Sequence, residues 1–266
     1  MVRLYRLLVL AQLRGQLQSP VSFGLDVLST SLITITEFGA FVLVFGRFGS
    51  LAGWSLAQML LLYGMVEFSF SLMDMIFAGF DPPVFAQYIR KGTLDQFLLR
   101  PGSLMLHILG SDLTLRRVGR LLLGLGILVY ALFANPIFWT LEKALLLPMI
   151  VSSLVLYFGA LFLCGATLMF WTIESTEAMN VLTYGGAYLM SYPMDIYSNW
   201  LRITFTFILP AALMNYYPAL YILGKPDPFG LPAFMPFIAP LAAGTMFWAA
   251  LEFWKFGLKH YQSTGN

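Results

Sequence analysis

The chain has 266 residues, of which 59% are hydrophobic and 11% charged, with a net charge of +2 and a mean hydropathy of +0.78. An ordinary soluble domain carries about a quarter of its residues charged, so this composition excludes a soluble enzyme and describes a polytopic membrane protein. The small net charge offers no footing for nucleic acid.

Residues 1–20 are organised differently from the apolar spans. At about 100° per residue, Arg3, Arg6 and Arg14 gather on one side of a helix while Leu4, Leu8 and Ala11 take another. This pattern predicts an interfacial helix on the inner leaflet, joined to the first span at Gln18 to Pro20; a plain basic tail is the alternative. Crossing a hydrocarbon core of about 30 Å takes roughly 20 helical residues, and Val21 to Phe45 and Trp54 to Gly79 are apolar runs of that kind. The first is too long for a cleaved signal and is expected to stay as a helix. Continuous runs, without period-two alternation, indicate helices and not barrel strands, so the fold class is all-α.

Residues 79–101 read GFDPPVFAQYIRKGTLDQFLLRP. Asp81-Pro82-Pro83 ends the second span, and Val84 to Ile89 continues as a short helix. Gly92 interrupts it, Thr93 is expected to cap a second short helix over Leu94 to Leu99 with Asp95 in its first turn, and Arg100-Pro101 stops it. The expected product is a rigid surface helix, apolar through Leu94, Phe97 and Leu98, presenting Arg90, Lys91, Asp95 and Arg100 to a partner. A loop packed on the protein's own inner face is the alternative.

Val118 to Ala134 and Leu145 to Trp171 are the third and fourth spans. The single cysteine, Cys164, lies inside the fourth as a packing residue, and His107 and His260 stand too far apart for a zinc or catalytic cluster. Beyond Trp171 there are two candidates for one crossing: Ala178 to Tyr192, which is short, and Ile203 to Leu223, which Pro210 and Pro218 interrupt. Prolines inside an apolar run fit a helix that enters and turns back. A fifth helix near Thr176 to Tyr192 is therefore expected, succeeded over residues 193–232 by an external, partly re-entrant pair of short helices; a cytoplasmic first half leading into a true span is the alternative. Ala233 to Phe253 is the sixth span.

The basic residues orient these segments. Arg90, Lys91, Arg100, Arg116, Arg117 and Arg120 fall in or beside the connection 80–117, which the positive-inside rule makes cytoplasmic. With an even number of crossings both termini are cytoplasmic, and only Arg47, Lys143, Arg202 and Lys225 fall outside. Acidic residues within spans cost at least about 2.5 kcal/mol at mid-membrane. Glu37 lies in the first span, and Glu67, Ser71 and Asp74 share one face of the second. They are candidates for a polar wall of a translocation path; interhelical bonding is the alternative.

No phosphate-cradling Gly-x-x-x-x-Gly-Lys-Ser/Thr loop occurs in the sequence, so ATP, if it drives this protein, binds elsewhere. The stretch YIRKGTLDQFLLRP, Tyr88 to Pro101, with LRRVGR, Leu115 to Arg120, after it, resembles the loop after the second helix in permease subunits of type 2 ABC transporters. The stretch YPMDIYSNWLR…ILPAALMNYYPAL, Tyr192 to Leu220, is similar to the external region after the fifth helix of the same group, an ABC-2-like subfamily formerly described as a domain of unknown function.

The resemblance implies a single permease domain of six helices working as a dimer, with itself or with a similar paralogue, on a cytoplasmic ATPase subunit that binds ATP and magnesium. It implies an exporter in the inner membrane, surrounded by lipid, with no cofactor or metal of its own and no catalysis in this chain. Residues Arg90 to Asp95, Phe97, Leu98, Arg100 and Pro101 match the coupling element, and Tyr192, Pro193, Asp195, Trp200, Pro210, Asn215 and Pro218 the external region. The competing function is an ion-coupled secondary transporter using Glu37, Glu67 and Asp74.

Overall fold

The computed structural model describes residues 20–112, 117–172, 176–232 and 234–262. The expected interfacial helix, over residues 1–20, lies outside the described residues except for Pro20. Every named element among the described residues is helical: α1 (Pro20–Phe48), α2 (Leu56–Phe77), α3 (Pro82–Arg90), α4 (Thr93–Leu99), α5 (Leu104–Ser111), α6 (Val118–Ala134), α7 (Leu141–Leu168), α8 (Thr176–Met190), α9 (Asn199–Ile203), α10 (Ala211–Met214), α11 (Tyr216–Leu223) and α12 (Ala239–His260). The protein is an all-α, multi-pass membrane protein. Among the described residues, Leu56–Arg90, Leu141–Leu168 and Met235–His260 are long and apolar enough to cross a membrane. Asn199–Ile208 and Ala211–Leu223, bent by 70° at their junction, add a fourth crossing if they act as one.

Local chemistry sets the element ends. Ser55 accepts from the Gln58 amide while the Gln58 side chain accepts from the Ser55 amide, a reciprocal cap that starts α2. Thr140 caps α7 ahead of the expected start at Leu145, accepting from the Lys143 amide. The last helix departs further from expectation. It begins at Ala239, not Ala233, because Met235–Phe237 forms a 3-10 turn and Pro240 sits in the first helical turn. It then runs past Phe253 to His260, where Lys259 and His260 favour the negative end of the helix dipole. Pro210 stands at the bend, after a π-helical turn over Thr204–Ile208. Pro218, expected to break the same run, lies within the first turn of α11, where its missing N–H has no intrahelical acceptor to lose.

α2 is the centre of the molecule, packed against α6, α7 and α8, and it is apolar around most of its circumference for that reason. Two glycines let α2 and α6 approach closely. A Cβ on Gly64 would lie 2.7 Å from Leu128 Cα, and one on Gly124 would lie 2.8 Å from the Phe68 nitrogen. Within lipid there is no hydrophobic drive between helices, so such close backbone contact supplies the dispersion that holds them. α7 packs along α12 on the other side of the core, and Phe70 meets Phe158 edge to face at 5.0 Å.

Candidate functional site

The segment 79–101 folds as two short helices, as the proline break requires. Asp81 precedes α3 with prolines at its start, and Gly92 separates α3 from α4 at φ +65°. Gly92 thus closes α3 in the left-handed region and occupies the position before α4. Thr93 is the first helical residue and not the cap, which corrects the expectation. Asp95 does lie in the first turn.

The two faces of α4 divide unevenly. Leu94 and Phe97 are buried, whereas Leu98 is 45% and Leu99 88% exposed, so the three expected apolar residues divide between the two faces. Arg100 stacks its guanidinium over Phe97 at 5.2 Å and ends the helix in extended backbone, with Pro101 next. The Pro101 carbonyl is 3.0 Å from Nε2 of His107, whose ring stacks on Phe97. Asp95 accepts a 3.1 Å hydrogen bond from the Tyr261 hydroxyl, so this carboxylate, expected to face a partner, is engaged within the chain. Arg90 and Lys91 are exposed at the Gly92 turn.

The acids of α2 meet arginines of α6 and of the residue just before it. Glu67 is held in a two-pronged contact by Arg120, from Nε to Oε1 and from Nη2 to Oε2 at 3.0 Å, and the same guanidinium lies 5.4 Å from the Phe70 ring. Further along α2, Arg117 Nε is 2.9 Å from Asp74 Oδ2, and its Nη1 donates to the Asp74 carbonyl. Both pairs are largely removed from solvent. Such pairs offset the cost of bringing either charge inside. A cationic ligand at Glu67, or a proton carried there, would compete with Arg120 for both carboxylate oxygens. Ser71 is buried on the same helix between them in sequence, and the Glu37 side chain lies outside the described residues. The sequence marked the two acids as costly charges on one helix face, without marking which arginines meet them.

At the opposite end of α2, Asp195 gathers the bent pair. Its Oδ2 accepts from the Trp54 indole at 2.8 Å and from the Tyr216 hydroxyl at 2.9 Å, and Arg202 holds the carbonyls of Met194 and Asp195. Asn215 donates to the Met190 carbonyl at 2.8 Å and reaches the Leu62 carbonyl at 3.4 Å. Tyr192 packs on Phe41 at 5.4 Å, Pro193 precedes a 3-10 turn, and Pro218 is buried. Trp200 is 67% exposed and belongs to none of these contacts. Lys225, named from the sequence only for its charge and not as a site candidate, stands 4.7 Å over the Trp54 ring and donates to the Gly53 carbonyl.

Two further features were not legible in the sequence. Tyr184 of α8 donates to Asp81 Oδ2 at 3.0 Å, linking α8 to the break between α2 and α3. An apolar groove of about 630 Å³ opens between α2, α6 and α7, lined by residues including Phe68, Leu125, Leu132 and Val155. Among the described residues no group of three metal-ligating side chains occurs.

A family model described as ABC-2 family transporter protein matches residues 31–265. No curated protein and no solved structure matches the chain.

Proposed function

The chain belongs to the ABC-2 transporter family, and from that premise we propose that it is the permease subunit of an ATP-driven exporter, coupled to a separate ATPase through α3 and α4. The observation that carries the coupling is the shape of α4: Leu94 and Phe97 anchor it to the permease, while Leu98, Leu99 and Arg100 project from it. A surface helix fixed by one face and apolar on the other is a ready docking element for a groove in a partner. Arg90 and Lys91 at the Gly92 turn add positive charge to that surface. The ATPase supplies the nucleotide site and its magnesium; this chain supplies the docking helix and the path.

In this proposal α1, α6 and α8 complete six crossings with α2, α7 and α12, in the inner membrane with both termini cytoplasmic. Residues 1–20 lie along the inner leaflet, and residues 193–232 form an external, partly re-entrant cap tied down by Asp195. Two such chains, or this chain and a similar one, enclose a path to which the Glu67, Ser71 and Asp74 face of α2 contributes, with lipid around them. Paired with arginine, that wall is polar without net negative charge.

Co-expression with the ATPase tests the reading. Arg90→Glu, Lys91→Glu and Arg100→Glu together should abolish co-purification of the ATPase and transport in vesicles while leaving the permease folded. Undiminished association and transport in the triple variant would remove the coupling role from this segment.

A further inference from the structure

The end of the last helix reaches the docking helix. α12 stops at His260, and Tyr261 leaves it in extended backbone, with its hydroxyl 3.1 Å from Asp95 Oδ1. Its ring lies 5.3 Å from Phe170, just beyond α7. Phe170 in turn meets Trp254 of α12 at 5.3 Å and Phe85 of α3 at 5.5 Å, and Phe85 meets Trp254 at 5.5 Å. These contacts leave almost no slack. A Cβ on Gly257 would stand 2.6 Å from Thr167 Cγ2, and one on Gly165 would stand 2.6 Å from Pro82 Cγ.

We propose that Tyr261 is a positioning residue for energy coupling: it straps α4 to the ends of α7 and α12, so that α3, α4 and those two helix ends move as one body when an ATPase displaces α4. The proposal rests on the coupling role of α3 and α4 and extends it, since chain connectivity alone joins that segment to α2 and, through α5, to α6. Rings packed edge to face resist sliding. They do not reach α4 itself, whose Phe97 packs instead on Tyr88 of α3 at 5.6 Å and on His107 of α5 at 6.3 Å. The hydroxyl-to-carboxylate bond supplies that link. It is charge-assisted and directional, and it attaches at Asp95, outside the buried pair Leu94 and Phe97. Burial, and then the Asp95 carboxylate, push the Tyr261 hydroxyl up to about 12, so it remains a donor throughout the physiological range.

The test uses the permease–ATPase complex in lipid vesicles, on a Cys164→Ser background. Tyr261→Phe should leave folded yield and ATPase co-purification unchanged but lower transport per ATP hydrolysed about fivefold or more, as expected for loss of one hydrogen bond to a charged group. Asp95→Cys with Tyr261→Cys should show the same deficit, and joining the two thiols with a short cross-linker should restore coupling. Arrest of transport by the cross-link would overturn the proposal, because it would mean that the contact opens during the cycle. Unchanged coupling in Tyr261→Phe would overturn it as well. Failure of the wild-type permease to bind any ATPase would instead overturn the functional reading, and the proposal with it.

Discussion

Arg120 closes on Glu67 with both prongs of its guanidinium, joining the first turn of α6 to the middle of α2. Removing one side of a buried pair strands the other, at a cost of about 3–5 kcal/mol, whereas replacing both with apolar groups is often neutral. Arg120→Met is therefore expected to lower the thermal midpoint of the purified permease sharply, and Glu67→Leu combined with Arg120→Met to recover most of the loss. Thermal unfolding in detergent, read out by size exclusion, measures both.

The Gly64 and Gly124 contacts make a second prediction. Each lies against backbone of the opposite helix, which cannot rotate away as a side chain can. Gly64→Val or Gly124→Val should cost about 1–3 kcal/mol or more through overpacking. Gly126, on the same helix as Gly124 with nothing near its Cβ position, should accept alanine without loss. Folded yields of the three variants, compared side by side, decide this.

Asp195 satisfies two donors from different parts of the chain, the Trp54 indole and the Tyr216 hydroxyl. Asp195→Ala leaves both short of an acceptor, at roughly 1–3 kcal/mol for each buried group. The bent pair should loosen first, seen as faster hydrogen exchange over residues 195–223 with little change in α7. Asp195→Asn, which keeps one acceptor oxygen, should be milder.

Leu99 is 88% exposed at the end of α4, so the permease alone should be indifferent to its identity. In the docked complex it would be buried, and a charge there would be unmatched. Leu99→Asp is expected to leave the thermal midpoint unchanged and to reduce ATPase association by about tenfold or more. A titration of ATPase binding to permease in nanodiscs gives the number.

The Tyr261 hydroxyl makes a pH prediction of definite sign. Its value is raised from 10.0 to about 12 in the folded protein, by burial first and by Asp95 second. The folded state therefore favours the protonated phenol, and the stabilisation is whole below pH 10 and is lost as pH rises from about 10 through about 12. A phenolate titration of wild type minus Tyr261→Phe should show one late-titrating group, and that group should move down in Asp95→Ala.

Composition and nearest neighbours were enough to establish an all-α membrane protein with a proline break after α2 and short helices beyond it. Those features depend on apolar length, on the rings of Pro82 and Pro83, and on the left-handed backbone of Gly92. The break at Pro82 and Pro83 was legible, whereas the starts of α7, capped by Thr140, and of α12, with Pro240 in its first turn, lie away from the onset of the apolar runs.

Which residues meet required the folded chain. Glu67 and Asp74 announced themselves as costly charges, but their partners are 53 and 43 residues away along the chain. Asp95 looked like a helix-dipole residue facing outward until the fold brought Tyr261 to it from 166 residues away. Burial and pairing belong to three-dimensional proximity, and a hydrophobic pattern specifies which faces turn inward without specifying which inward faces touch.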